Sequence, residues 1–172
     1  MTDICSDEMP DIQNEEDNRA VPLEKVGIKN LEYPITVLDK LNGKQQTVAL
    51  ADLFVNLPQN QKGTHMSRFV EVFNSYCADM SMERFQNMLK DIRISLAAEK
   101  AYGKISFPFF MEKRSPVSGS KGIMNYRCAF EGKIDRDSGS FFVSVEVPVT
   151  TVCPCSKAIS TYGAHNQRGR IK

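Results

Sequence analysis

Residues 141–149, FFVSVEVPV, are the stretch of sequence that decides the fold. Phe141 and the valines at every second position through Val147 would share one side of an extended chain, which is typical of a β-strand with one packed face. The turn-forming sequence DRDSG at 135–139 comes directly before this strand. Other β-like runs cover 45–57, 104–111 and 125–134. The pattern predicts an antiparallel sheet.

An amphipathic helix is predicted between these runs. Apolar residues recur at three- and four-residue spacing from Met82 to Leu96, and Ser81 is a suitable N-cap. Gly103, beyond Lys100, predicts the end of the helix. Strands, a helix and strands again indicate an α+β domain with the helix over one face of the sheet.

A hairpin is predicted before that helix. The turn-rich residues 59–63 separate the run at 45–57 from a second β-like run, His65 to Phe73. We therefore expect residues 65–73 to form a strand.

Composition excludes several classes of protein. The chain has 172 residues, of which 41% are hydrophobic and 25% charged, as in an ordinary soluble domain. A net charge of +1 gives no field for nucleic acid or a membrane surface, and no apolar run is long enough to span a bilayer. The acidic N-terminus is unlike a secretory signal, so we expect a cytoplasmic protein.

The chain divides into three parts. Residues 1–24 form an acidic leader that we expect to be disordered. Residues 25–149 form the folded module, and residues 150–172 form a segment dense in reactive side chains. We expect residues from about Thr150 onward to be mobile, because the last strand lacks a following element to pack it.

The candidate site lies in that last segment. Cys153 and Cys155 flank Pro154, and His165 follows Cys153 by twelve residues. Thiolate and imidazole are preferred by borderline-soft divalent metals, but two histidines in the whole chain make a closed structural zinc site a poor fit. Three interpretations stay open: an open catalytic metal centre, a nucleophilic or redox thiol, and plain packing.

Other candidates are less specific. His65, in KGTHMSRF, has two interpretations. It is a functional residue that transfers protons or contacts a substrate, or it is a solvent-facing histidine at a turn. A sparse basic group near the cysteines is either solvated or contacts phosphate oxygens. Its members are Lys157, Arg168, Arg170 and Lys172.

Three segments carry a resemblance to a known family. Residues 26–35 (VGIKNLEYPI), 62–69 (KGTHMSRF) and 147–168 (VPVTTVCPCSKAISTYGAHNQR) resemble those of the type IB GTP cyclohydrolases. The resemblance implies a tunnelling fold, in which an antiparallel sheet packed by amphipathic helices closes into a barrel only by subunit association. It implies a homo-oligomer, a tetramer in full-length members.

The resemblance also implies an activity. Members of the family convert GTP to 7,8-dihydroneopterin triphosphate and formate, the first step of tetrahydrofolate biosynthesis, by attack of a metal-activated water on guanine C8. Cys153 matches the catalytic cysteine that ligates the metal, and His165 matches its histidine partner. The metal is expected to be zinc, manganese or iron, and His65 is a second candidate catalytic residue.

The chain departs from the family in length. It ends at Lys172, so the remaining carboxylate ligand and the glutamate that anchors guanine have no position here. This predicts a C-terminally truncated member. The alternatives are a non-catalytic fragment with weak metal binding, and a deazaguanine nitrile reductase of the same fold group.

Overall fold

The computed structural model describes residues 21–161 and 166–172, so most of the acidic leader lies outside the described residues. The strands are β1 (Leu23–Asp39), β2 (Gly43–Leu57), β3 (Ala101–Arg114), β4 (Lys121–Ile134), β5 (Gly139–Val152) and β6 (Asn166–Ile171). The helices are α1 (Met66–Tyr76), α2 (Met82–Ser95) and α3 (Pro154–Ile159), with a 3-10 turn at Cys77–Asp79. Each strand pairs antiparallel with its neighbours in sequence, in the order β1 to β6. The predicted α+β class with an antiparallel sheet is confirmed.

The core lies between one face of the sheet and helices α1 and α2. On β2 every second residue from Ala49 to Val55 is almost fully buried, and Ala101 and Ile105 continue this face on β3. Phe85 of α2 is fully buried and packs against the rings of Phe130 and Phe141. This burial of apolar area is the main stabilising contribution to the domain.

Two glycines allow α2 to approach the sheet closely. A Cβ atom at Gly103 would lie 2.6 Å from a methyl carbon of Leu89, and one at Gly132 would lie 3.1 Å from the ring of Phe85. The prediction that Gly103 ends the helix was therefore wrong, because Gly103 lies within β3. The helix ends at Ser95, and Ala97 makes the left-handed turn with φ +48°.

The strand predicted for residues 65–73 was also wrong. Residues 66–73 belong to α1, with His65 as its N-cap, and Phe69 and Phe73 of this helix are both fully buried. Residues four apart lie on one face of a helix, and this spacing overrode the β-branched and aromatic character of the run. Phe73 meets the ring of Tyr33 on β1 edge to face at 5.4 Å, which fixes α1 on the sheet.

Side chains extend the pairing of β2 and β3 beyond its backbone ladder, which ends at Leu50↔Ser106. The Gln45 amide Nε2 donates to the Phe110 carbonyl at 2.9 Å, and its Oε1 accepts from the Phe110 N–H at 2.8 Å. Thr47 Oγ1 donates to the Pro108 carbonyl at 2.8 Å. The two strands therefore separate without leaving these backbone groups unpaired.

Strand β5 changes partners along its length. β5 pairs with β4 as far as Glu146, and from Val147 to Val152 it pairs with β6. The expectation that no element follows the last strand to pack it was wrong, because β6 pairs antiparallel with β5. Mobility from about Thr150 onward stays a prediction. The apolar face predicted for β5 is packed only near Phe141, since Val143 and Val145 are 48% and 42% exposed.

The sheet face opposite the helices has no covering element among the described residues. Val48, Leu50 and Phe142 are exposed there, at 56%, 44% and 66%. Among the described residues, no helix is long and apolar enough to cross a membrane.

Candidate functional site

Cys153 stands where β5 changes into α3. Its backbone is extended, with φ −66° and ψ 123°, and it is the N-cap of the helix. Pro154 follows at the first helical position, which its ring geometry favours. The Lys157 N–H donates to the Cys153 carbonyl at 3.0 Å and closes the first turn. A rigid strand end therefore fixes the position of the thiol.

The surroundings of Cys153 favour its thiolate. The backbone N–H of Ser156, followed by that of Cys155, lowers the pKa of the Cys153 thiol, against a smaller opposing effect of burial. The Cys155 side chain lowers this pKa further. The thiolate is the form of cysteine that binds metals and attacks electrophiles.

The other described cysteines differ from Cys153. Burial raises the pKa of the half-buried Cys128 thiol, so the protonated form is favoured there. Cys77 is partly buried, and its thiol donates to the Asn74 carbonyl at 3.1 Å. Cys155 is exposed. Cys153 combines partial access to solvent with a lowered thiol pKa.

His165 lies outside the described residues, so its position relative to Cys153 stays a prediction. Its successor in the chain, Asn166, pairs with Val152, the residue that precedes Cys153. Among the described residues, no group of three His, Cys, Asp or Glu side chains converges on a position for a metal ion.

His65 lies at the other end of the molecule. It is the N-cap of α1, and in the same first turn Arg68 Nη1 donates to the Ser95 carbonyl at the end of α2. After α2 the chain enters β3 at Ala101. Ala101 pairs with Ile134 on β4, and Ile134 pairs with Gly139, the first residue of β5, so His65 lies near the start of β5.

Cys153 follows the last residue of β5. The strand is 14 residues long, roughly 45 Å at about 3.3 Å per residue. The structure therefore does not bring His65 and Cys153 together within one chain. Residue spacing in the sequence gave no signal of this separation, which depends on the sheet register.

One member of the predicted basic group, Arg170, forms an ion pair with a carboxylate. Arg170 Nη1 lies 2.7 Å from Glu146 Oε1, and sequence reasoning missed Glu146. Because side chains alternate along β5, Glu146 lies on the same face as Thr150, the partner of Arg168. The sequence contains this alternation, so it could have predicted that Glu146 lies on the face of the basic group.

Comparison with known proteins identifies the family. The model of the family described as type I GTP cyclohydrolase FolE2 matches residues 9–172. Proteins named GTP cyclohydrolase FolE2 from Syntrophus aciditrophicus and Geobacter sulfurreducens are 50% and 47% identical to this chain over 163 residues. The one from Fervidobacterium nodosum is 46% identical over 162 residues. The predicted family is confirmed.

The same alignments correct the prediction of a C-terminal truncation. They include 95% of this chain and 63–64% of the Geobacter sulfurreducens and Syntrophus aciditrophicus proteins. The chain thus spans somewhat less than two thirds of the length of these relatives. A match to part of a longer relative does not support a truncation, and nothing about activity follows from where the chain ends. By its sequence, this chain belongs to the type I GTP cyclohydrolase FolE2 family.

Proposed function

We propose that this chain contributes the catalytic centre of a GTP cyclohydrolase that converts GTP to 7,8-dihydroneopterin triphosphate and formate. The observation that carries the proposal is Cys153, held at a strand end, accessible to solvent and with a lowered thiol pKa. It lies in the segment whose family match is most specific. The names of the relatives support the reaction, and none of those quoted is a nitrile reductase.

Cys153 and His165 are proposed to hold a divalent metal, zinc, manganese or iron. The pairing of Val152 with Asn166 supports this, since each proposed ligand is the chain neighbour of one member of that pair. Thiolate with imidazole suits these metals, and a lowered thiol pKa reduces the cost of deprotonating the ligand. A metal held there would supply a Lewis acid that lowers the pKa of water towards neutrality.

The chain's own residues have separate tasks in this proposal. Cys153 presents its thiolate at a fixed position because the strand end and Pro154 restrict the backbone. His65 is proposed to move a proton or contact the substrate, because imidazole titrates near neutral pH. Its distance from Cys153 along β5 requires that it act on a site of a second copy of the chain.

The proposed role of His65, together with that separation, implies a homo-oligomer. The uncovered sheet face with exposed Val48, Leu50 and Phe142 supports association of subunits, as does the exposed apolar surface of Val143 on β5. We propose that copies of the chain assemble into a tunnelling-fold barrel, a tetramer in full-length members, with each site built from two subunits.

The first test separates the two cysteines. Cys153→Ala should abolish formate release from GTP and the retention of added zinc or manganese, measured by elemental analysis after gel filtration. Cys155→Ala is the matched control and should lose less of both, because its exposed side chain points from a different position of the helix. Equal loss in both variants would refute the assignment of Cys153. Absence of formate release by the unmodified chain with either metal would refute the proposed reaction.

The second test addresses the shared site. Cys153→Ala and His65→Ala chains should each have little activity alone. After mixing and reassembly, about a quarter of the sites should combine an intact Cys153 with an intact His65 from another copy. A mixture with no more activity than the separate variants would contradict a site built from two subunits. Metal loss in His65→Ala would instead move His65 among the ligands.

A further inference from the structure

A cavity lies between helix α2 and the turn that joins β4 to β5, and we call it the α2 cavity. Its volume is about 370 Å³, and it is open to solvent. Lys90 and Arg93 line it from α2, Asp135 and Asp137 line it from the turn, and Phe141 lines it from β5. This volume is near the lower end of the range for small-molecule sites, so the cavity suits a ligand smaller than a nucleotide.

Lys90 and Arg93 form a cationic wall of the α2 cavity. They are three residues apart, so they share one face of the helix. The Nε atom of Arg93 is buried and has no hydrogen-bond partner, and over the part of the chain that the structure describes its guanidinium makes no ion pair. The Lys90 ammonium makes one long hydrogen bond, to Asn87 Oδ1 at 3.4 Å. A buried donor without an acceptor costs free energy, so this wall favours a ligand that brings a negatively charged oxygen.

The β4–β5 turn forms an anionic wall. Hydrogen bonds from the backbone N–H and the hydroxyl of Ser138 lower the pKa of the Asp135 carboxyl, which is therefore ionised at neutral pH. Asp137 is exposed, and within residues 21–161 and 166–172 its carboxylate has no ion pair. Arg136 does not neutralise it, because the Arg136 guanidinium lies 3.9 Å from the carboxylate of Glu99.

The two walls do not neutralise each other. Among the described residues, no ion pair joins the cationic side chains of α2 to the carboxylates of the turn, although all of them line one cavity. A simple anion there would face the carboxylates, and a simple cation would face the guanidinium, so the cavity disfavours both. A small zwitterion can satisfy both walls at once. A free α-amino acid carries a carboxylate and an ammonium group on the same carbon atom.

The remaining lining favours an apolar side chain on that ligand. Phe141 packs against Phe85, with 5.7 Å between the ring centroids, yet it stays partly exposed and lines the cavity. Ile134 lines the cavity as well. Burial of apolar ligand surface against these two side chains would stabilise the complex. The cavity lies at the start of β5, whereas Cys153 follows the last residue of that strand, so the two are separate within one chain.

We propose that the α2 cavity binds a free α-amino acid with an apolar side chain. The ligand's carboxylate accepts hydrogen bonds from Arg93 and Lys90, and its ammonium group binds the carboxylate of Asp137. The inference does not depend on the proposed reaction, because neither Cys153 nor His65 lines this cavity.

The test measures binding of radiolabelled L-leucine to the full chain by equilibrium dialysis at low salt. Leucinamide and N-acetylleucine serve as competitors, since each keeps the side chain and lacks one of the two charges. Both should displace the label at least about 10-fold more weakly than unlabelled leucine does. Competition by N-acetylleucine as strong as that of leucine would overturn the inference, because the anionic wall would then have no role. Absence of saturable leucine binding up to about 10 mM would overturn it as well.

Variants of each wall locate the bound leucine. Arg93→Met removes the guanidinium and keeps an unbranched stem, so it should weaken binding about 10-fold or more. Asp137→Asn should weaken binding about two- to fivefold, because an exposed charge is screened by water. Arg114→Met is the matched control, since Arg114 is an exposed arginine at the end of β3, and it should bind as the unmodified chain does.

The variants also separate a binding role from a structural one. Circular dichroism of each variant verifies the fold, and Asp137→Asn alters only an exposed turn residue, so it remains informative if Arg93→Met unfolds. Leucine binding that is unchanged in either folded variant would overturn the inference.

GTP distinguishes the α2 cavity from a nucleotide site. Saturating GTP should leave leucine binding unchanged, and displacement of leucine by GTP would overturn the inference. The two proposals fail separately. Leucine binding that depends on Arg93 and Asp137, without formate release from GTP, would retain the amino acid site and refute the proposed reaction.

Discussion

Phe85→Ala should show how strongly the packing of α2 stabilises the sheet. Phe85 is fully buried and contacts the rings of Phe130 and Phe141, at centroid distances of 6.0 and 5.7 Å. Truncating a buried phenylalanine to alanine costs about 3–5 kcal/mol, and the loss rises when the neighbours do not fill the cavity. The sheet beneath the ring is glycine at position 132, which has no side chain to move into the space. We therefore expect a loss of about 4 kcal/mol.

The measurement is urea unfolding followed by circular dichroism, with equal m-values required for the comparison. The matched control is Ile94→Ala on the same helix, because Ile94 is 66% exposed and should change the free energy of unfolding by less than about 0.5 kcal/mol. Since whole domains are stable by only about 5–15 kcal/mol, Phe85→Ala should lower the urea midpoint substantially. A loss below about 1 kcal/mol, or a loss equal to that of the control, would refute the packing described here.

Three further predictions concern titration, reactivity and packing. Burial, followed by the hydrogen bond to Asp91, raises the pKa of Tyr76 to about 12 from 10.0. Its stabilising contribution should be complete below pH 10 and lost as the pH rises towards 12, whereas Tyr76→Phe should cost about 1 kcal/mol at pH 7 and lack this alkaline loss in urea unfolding. Cys153 should react with iodoacetamide at lower pH than Cys128 when both are followed by peptide mass spectrometry, and the reverse order would contradict the opposite pKa shifts of the two thiols. Gly103→Ala should destabilise the domain by about 1–3 kcal/mol in the same unfolding assay, and a neutral result would show that the helix has room to move.

The sequence predicted those elements whose signal is local. The strand at residues 141–149 and the turn before it follow from alternation and turn chemistry, and Ser81 caps α2 by accepting a hydrogen bond from the Arg84 N–H at 3.2 Å. The run at 65–73 failed because its β-like composition and its helical spacing of Phe69 and Phe73 point to different structures. Burial against the sheet decided between them, and burial is a tertiary property.

The part of the candidate site that depends on local sequence was predictable, and the part that depends on strand register was not. Cys153 was identified from its neighbours in the chain, and its lowered thiol pKa arises from the adjacent N–H groups of the same turn. The pairing of Arg170 with Glu146 and the separation of His65 from Cys153 depend on strand register, which no short segment of sequence specifies.

Gln45 has a consequence for how this sheet changes over evolution. Its side-chain amide replaces a peptide group at the point where β2 leaves β3, so the local geometry of the branching point depends on side chains, Gln45 together with Thr47, rather than on the backbone ladder. Glutamate has the same reach but no donor for the Phe110 carbonyl, and asparagine is one methylene shorter. A single substitution there can therefore alter the angle between two hairpins while leaving every strand intact, and with it the curvature that any ring of such sheets must match.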